Sequence, residues 1–323
     1  MISIIIPVFN VKNYLSRSVE AILANDTAGC ELILVDDGSS DGSERMCDDY
    51  AAAHPGLIRV IHQKNSGPGC ARNTAISAAR GDWFLFVDSD DRLAPDALTR
   101  LRAAVEREPA DVYSFQFYKE PLEGAPTEQM SGETPAGISF ALREHPEFLL
   151  SQPSCWLRLW HRSVFEDNGI EFPAVVWYED IRTVTKLLAK AKKIVNLPDH
   201  LYYYLDRPGS IMNSSQLPRN RDIMPAFDDI LTWFRENGLL EQYRDELCAL
   251  TVQHVLLAAS VRVSRIDSSS EILKELYQFT ERAFPDWKKN PYSRQLPGMK
   301  RLALSLVQHR QYRMLAFLFK LKG

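Results

Sequence analysis

Apolar runs and helical stripes alternate through the first 118 residues, and that rhythm constrains the fold more than any other feature. ISIIIPV (2–8), ELILVDD (31–37), LIRVIH (57–62), WFLFVD (83–88) and DVYSFQFY (111–118) read as strands. Between them lie VKNYLSRSVEAILAN (11–25), SERMCDDYAAAH (43–54), GCARNTAISAARG (69–81) and PDALTRLRAAVERE (95–108). In the first of these, Leu15, Val19, Ile22 and Leu23 recur at helical spacing. Gly81 is placed to stop the third helix; Pro95 opens the fourth and Pro109 follows it. Strands that alternate with helices imply βαβ units and a mostly parallel sheet. The runs are continuously apolar rather than alternating, so both faces of that sheet should be covered by helices.

The texture then changes twice. Residues 119–137, rich in Pro, Gly, Glu and Thr, predict a surface loop or an irregular hairpin. Residues 140–215 are mixed, with short strands and two helices completing the same domain. From Leu217 onward amphipathic helix dominates, over 222–237, 239–263, 269–283 and 297–321. The expected organisation is an α/β domain over 1–215 and a smaller all-helical region over 216–323, within a chain of 323 residues.

A formal net charge of −4 supplies no basic field for nucleic acid. Five cysteines are scattered without C-x-x-C spacing, which argues against a disulfide framework or zinc and fits a reducing cytoplasm. MISIIIPVFN lacks the basic start of a signal peptide. No stretch reads as the ~20 apolar residues of a membrane span.

In an open parallel sheet, ligands bind beyond the carboxyl ends of the strands. Pro7, Phe9 and Asn10 follow the first strand, and Asp36 and Asp37 close the second. Asn65, Gly67 and, a turn later, Arg72 follow the third; Asp88, Asp90 and Asp91 follow the fourth. On extended backbone Asp88 and Asp90 share a side. Two such charges at 4 Å repel by about 4 kcal/mol at an effective dielectric near 20. A hard divalent cation, Mg²⁺ or Mn²⁺, turns that repulsion into attraction and fills its shell with phosphate oxygens and water. The bland alternative is a solvated acidic turn with Asp91 as a helix cap. Asp36 or Asp37 could accept the imide N–H of uracil. The loop before Arg72 is neither G-x-G-x-x-G nor a P-loop; it suits an anion at a helix start, or else Arg72 is a structural partner of the acidic loops. Glu179 and Asp180 stand where an apolar run enters a helix, and Asp180 as a plain cap is the simpler reading.

PVFN, VDDGS, N-x-G-x-x-x-A-R-N, the strand ending VDSDD and a later Glu-Asp before a helix, in that order, resemble the inverting glycosyltransferases of family 2, which have the GT-A fold. The resemblance spans roughly residues 2–213 and includes LYYYLDRPGSI (201–211). It implies that Pro7 and Phe9 wall the nucleobase site and that Asp37 accepts from the base. By the same resemblance, Asn65 and Arg72 contact base and phosphate, Asp88 and Asp90 hold ribose and metal, and Asp91 meets the donor sugar. Asp180 matches the general base and Glu179 its acceptor-side neighbour. Leu157 and Trp160 depart from the Gly and Tyr that relatives often carry on the acceptor side.

The implied reaction is a single inverting displacement. A nucleoside-diphosphate sugar, through the resemblance a UDP-sugar, passes its sugar to a hydroxyl of a glycan or polyprenyl-diphosphate-linked acceptor, with Mn²⁺ or Mg²⁺. The competing reading is a non-catalytic nucleotide-sugar-binding or assembly module in a polysaccharide-synthesis complex. A nucleotidyltransferase is weaker still, because its Gly-rich, Arg-containing start is absent. Residues 286–323 hold nine Lys/Arg against the single acid Asp286. They suit a basic amphipathic surface on the inner face of the cell membrane, or equally an ordinary packed helix or a homodimer contact.

Overall fold

The computed structural model describes residues 1–174, 177–207 and 217–320. PGSI (208–211), the part of the family resemblance that follows Arg207, lies outside them. Two compact units emerge, Met1–Ser210 and Ile211–Gly323, divided slightly ahead of the position anticipated.

The first unit follows the alternation. β1 (Ile2–Val8), α1 (Leu15–Leu23), β2 (Cys30–Asp36), α2 (Ser43–Ala53), β3 (Ile58–His62), α3 (Pro68–Ala78) and β4 (Trp83–Phe86) succeed one another. A two-residue β5 (Arg92–Leu93), α4 (Ala97–Arg107) and β6 (Val112–Pro121) follow. β7 (Thr127–Gln129) returns antiparallel on β6, the irregular hairpin expected there. β8 (Ile138–Phe140), β9 (Arg158–His161), α5 (Arg162–Glu166), α6 (Glu179–Lys190) and β10 (Ile194–Asp206) complete the unit. The sheet order is β3-β2-β1-β4-β9-β6-β10-β5. β1 to β4 run parallel, whereas β9 is antiparallel to both β4 and β6. Mostly parallel order with helical cover is the α/β class expected.

β1 is buried along almost its whole length, as its apolar run requires. Pro7 is tolerated because pairing with β4 ends at Ile5–Phe86, so its missing N–H faces no partner on that side. Several elements differ from expectation. α3 ends at Ala78, ahead of Gly81. A Cβ on Gly81 would lie 2.6 Å from the Met1 carbonyl oxygen, so close approach, not helix termination, explains this glycine. β4 stops at Phe86, and residues 88–91 turn, with the Asp91 N–H donating to the Asp88 carbonyl at 3.0 Å. The extended backbone assumed for Asp88 and Asp90 is therefore absent, and α4 follows Asp96 rather than Asp91.

The second unit is helical, as expected: α7 (Ile223–Glu236), α8 (Arg244–Leu250), a π-helical stretch Thr251–Ala258, α9 (Ala259–Ile266), α10 (Glu271–Ala283), α11 (Pro291–Arg294), α12 (Gly298–Gln308) and α13 (Tyr312–Lys320). Arg244–Ile266 forms one 23-residue helix that is long and apolar enough to cross a membrane, which the sequence reading did not flag. Its most apolar window is 72% buried inside the protein, so it serves as a core helix. The single helix expected over 297–321 is two, broken at Arg310.

Candidate active site

The loops after β1 and β2 are laced together. Asn10, in the left-handed region at φ 51°, accepts from the Ser40 N–H at 2.9 Å and donates its own N–H to Ser39 Oγ at 3.1 Å. This bend leaves Phe9 46% exposed beside a half-buried Pro7, an open apolar wall at the sheet's carboxyl edge. Asn65 is exposed nearby in sequence terms, on the loop after β3. Asp37 differs from the expected base acceptor. It is 3% exposed and accepts from Gln63 Nε2 (2.7 Å), Ser66 N–H (2.9 Å) and Gly67 N–H (2.8 Å), so its carboxylate folds the 63–67 loop. Asp36 is likewise engaged, by the Ser39 N–H at 2.9 Å and by His62 Nδ1 at 2.9 Å.

The N-x-G-x-x-x-A-R-N pattern acquires a physical meaning in α3. Gly67 takes φ 90°, where a side chain would be strained. Gly69 faces the 172–173 segment so closely that a Cβ would sit 2.6 Å from the Pro173 carbonyl oxygen. Asn73 ties the same segment down: its Nδ2 donates to the Phe172 carbonyl (2.8 Å) and its Oδ1 accepts the Phe172 N–H (3.0 Å). Arg72, between these anchors, points into the carboxylate cluster.

Arg72 is 4% exposed. Its Nη2 donates to Asp88 Oδ1 at 2.9 Å, and its Nη1 to Glu179 Oε1 and Asp180 Oδ1, both at 3.2 Å. One buried guanidinium thus gathers the acidic turn after β4 and the start of α6. Arg72 is thus a partner of the acidic loops, the alternative left open by the sequence and one compatible with the phosphate contact that the resemblance implies. Tyr178 holds φ 63°, and this left-handed turn swings the chain into α6 so that Glu179 and Asp180 occupy its first turn. Asp180 is therefore not the helix cap; its Oδ2 accepts the Cys155 N–H at 3.3 Å instead.

The remaining acids separate. Asp90 accepts from Arg207 Nε at 2.7 Å. Asp91, expected at the donor sugar, is 1% exposed and accepts from the Tyr202 hydroxyl (2.8 Å) and the Leu205 N–H (2.7 Å). It anchors β10 to the turn because both its oxygens are turned inward. Tyr202 also accepts the Asp88 N–H at 3.0 Å and stacks on Trp156 at 4.3 Å. Tyr202 and Arg207 are the site residues that residue-level reasoning did not single out; the signal was the Tyr-rich strand and the Arg that ends it. Leu157 and Trp160 are both fully buried, so these departures from the family pattern sit in the core.

Burial pushes the Asp88 carboxyl up to about 6, with Asp180 and Asp90 adding to the rise against Arg72. Burial and then the Asp180 charge push Glu179 up to about 7. Burial, Asp88 and Asp90 raise Asp91 well above the usual range. Burial is the first cause of each rise and neighbouring carboxylates add to it. By formal charge, the five carboxyls Asp88, Asp90, Asp91, Glu179 and Asp180 stand against the two cations Arg72 and Arg207. That surplus fits a divalent cation at Asp88 and Asp90. Among the described residues no three His, Cys, Asp or Glu side chains form a ready-made metal site. A cation here would complete its shell from phosphate and water, as Mg²⁺ commonly does.

A family model described as glycosyl transferase family 2 matches residues 3–169. Glycosyltransferase GlyG of Streptococcus pneumoniae is 31% identical over 241 residues, covering 70% of this chain and 78% of GlyG. Among solved structures, S. aureus TarS 1–349 in complex with UDP-GlcNAc is similar with a TM-score of 0.64 at 20% identity, covering 100% of this chain and 92% of that one. Mannosyltransferase PcManGT from Pyrobaculum calidifontis, in complex with GDP-Man and Mn²⁺, is similar with a TM-score of 0.55 at 17% identity, covering 98% and 83%. The family model covers more than half of the chain and includes Arg72 and the acidic turn after β4, while Glu179 and Asp180 lie beyond it; the chain belongs to glycosyl transferase family 2 and is a glycosyltransferase of GT-A fold.

Proposed function

We propose that this enzyme transfers a sugar, with inversion, from a UDP-sugar to a hydroxyl of a glycan or polyprenyl-diphosphate-linked acceptor in cell-surface polysaccharide synthesis. The observation that carries this reading is the convergence on Arg72 of Asp88, from the acidic turn, with Glu179 and Asp180, from α6. A leaving-group site and a candidate base stand side by side. Uracil rather than guanine is favoured by likeness to TarS over the more distant PcManGT. Pro7 and Phe9 offer the base its apolar wall.

The acceptor hydroxyl is a poor nucleophile, so Asp180 takes its proton as the new bond forms. Arg72 and the Cys155 N–H hold that carboxylate in place. Glu179, near 7, carries a proton part of the time at neutral pH and can donate to an acceptor oxygen. Asp88 and Asp90 would hold Mn²⁺ or Mg²⁺, which supplies Lewis-acid neutralisation of charge on the departing diphosphate. The nucleophile enters opposite the leaving group, so one base suffices and no covalent enzyme intermediate forms.

The test separates binding from chemistry. Asp180→Asn should retain sugar-nucleotide affinity and lose about 10²–10⁴-fold in transfer. Asp90→Ala should lose the metal-enhanced part of nucleotide affinity. A panel of sugar nucleotides with Mn²⁺, scored for binding and slow hydrolysis, identifies the donor. Undiminished transfer by Asp180→Asn would remove the base assignment.

A further inference from the structure

The last two helices combine exposed apolar bulk with basic side chains that lack acidic partners. α12 buries Ala303, Leu304 and Val307, and α13 buries Leu315 and Ala316. Away from those faces, Met299 (40%), Leu302 (49%), Met314 (58%) and Phe317 (66%) are exposed. Four of the nine large exposed apolar residues described in the whole chain therefore sit on these two short, mutually packed helices. On α13, Arg313 lies four residues from Phe317 and Met314 three, so charge and apolar bulk share one side. Lys300, Arg301 and Arg313 make no ion pair among the described residues, and Arg310 lies over the Tyr277 ring at 5.0 Å. Residues 286–323 carry nine basic residues and one acid in a chain of net charge −4, so positive charge is concentrated here.

We infer that α12 and α13 dock on an anionic lipid surface. Met314 and Phe317 enter the boundary between headgroups and acyl chains, and Lys300, Arg301 and Arg313 face lipid phosphates. A bilayer interface accepts both features at once, because apolar insertion and attraction to anionic headgroups add. A second copy of this chain suits the face less well: a two-fold contact would set these unpaired cations against their own images. The inference goes beyond the reaction and does not rest on it, since lipid binding is read with neither donor nor acceptor present.

The experiment is flotation of the full chain with vesicles of mixed phosphatidylglycerol and phosphatidylcholine, or of phosphatidylcholine alone. Binding should be at least about tenfold stronger to the anionic vesicles and should fall as salt rises. The double substitution Met314→Glu with Phe317→Glu should cut binding about tenfold or more while melting temperature and sugar-nucleotide affinity stay unchanged. Equal binding to both vesicle types, binding to neither, or undiminished binding of the double variant would overturn the inference. So would a dimer, seen by light scattering, that the double substitution splits while no lipid is bound.

Discussion

The Tyr202 hydroxyl accepts the Asp88 N–H and donates to Asp91 Oδ2, so one oxygen fixes both ends of the acidic turn. Tyr202→Phe removes that bridge and leaves a buried N–H unpaired. The expected cost is about 1–3 kcal/mol in urea unfolding, with weaker metal-dependent nucleotide binding in titration calorimetry and an unchanged far-UV spectrum. Wild-type affinity and stability in the variant would show that the turn holds itself. Residue identity was only half legible in this region. LYYYLDR announces a strand, yet alternation does not say which tyrosine points inward: Leu201 and Tyr202 are both buried because pairing with β6 shifts register between His200 and Tyr202. Asp37 and Arg72 were visible as polar groups at the right strand ends. Their partners come from segments far along the chain, so the engagement of Asp37 by its loop and of Arg72 by three carboxylates could not be read from spacing.

At the scale of elements, α3 and the 172–173 segment that precedes α6 in the chain are held together by Asn73 and by the close approach of Gly69. Gly69→Ala tests this coupling. Alanine gains up to about 1 kcal/mol in helix propensity over glycine, but its Cβ would meet the Pro173 carbonyl oxygen at 2.6 Å and Phe172 Cβ at 3.2 Å. Backbone cannot swing aside as a flexible side chain can, so a net loss of about 1–3 kcal/mol is expected. Transfer should fall more than nucleotide binding, because Glu179 and Asp180 shift with the segment. Gly298→Ala, whose Cβ meets nothing within 4 Å, is the control that should stay neutral or gain stability. The elements themselves were legible where periodicity was long and flanked by turn residues. β9 was legible only as one of the short strands expected over 140–215; its antiparallel insertion between β4 and β6 was not, since four residues carry no signal of direction or neighbour. Nor was the break between α12 and α13. Its Arg310 N–H bonds the Val307 carbonyl at 3.0 Å and its Gln311 N–H the Leu306 carbonyl at 2.8 Å, a Schellman ending with arginine where glycine usually marks the stop.

Across the whole molecule, the two units should answer acid with opposite signs. In the α/β unit without metal, Asp88 is raised to about 6 and Glu179 to about 7, both first by burial. His62 is raised by hydrogen bonds to Asp36 and Asp48. Groups raised on folding contribute stability that is full below their unfolded values and lost as pH rises through their folded ones. This unit should therefore strengthen as pH falls from about 7.5 to about 5. Asp36 and Glu31, which folding lowers, oppose it only weakly and only near pH 5, where their unfolded carboxyls begin to protonate. The helical unit behaves inversely. Burial, then Arg262 and Lys300, lower His254 to about 4 from 6.5. Its contribution is present above 6.5 and is lost as pH falls toward 4, a loss on the order of 1–2 kcal/mol by pH 5. Segment-resolved hydrogen exchange, corrected for the chemical rate at each pH, should show protection rising in β1–β4 and falling across Arg244–Ile266 over the same acid step. His254→Gln should flatten the second response and leave the first intact. Parallel changes in both units would mean that neither set of buried charges governs the acid response, and the electrostatic reading of the carboxylate cluster would lose its support.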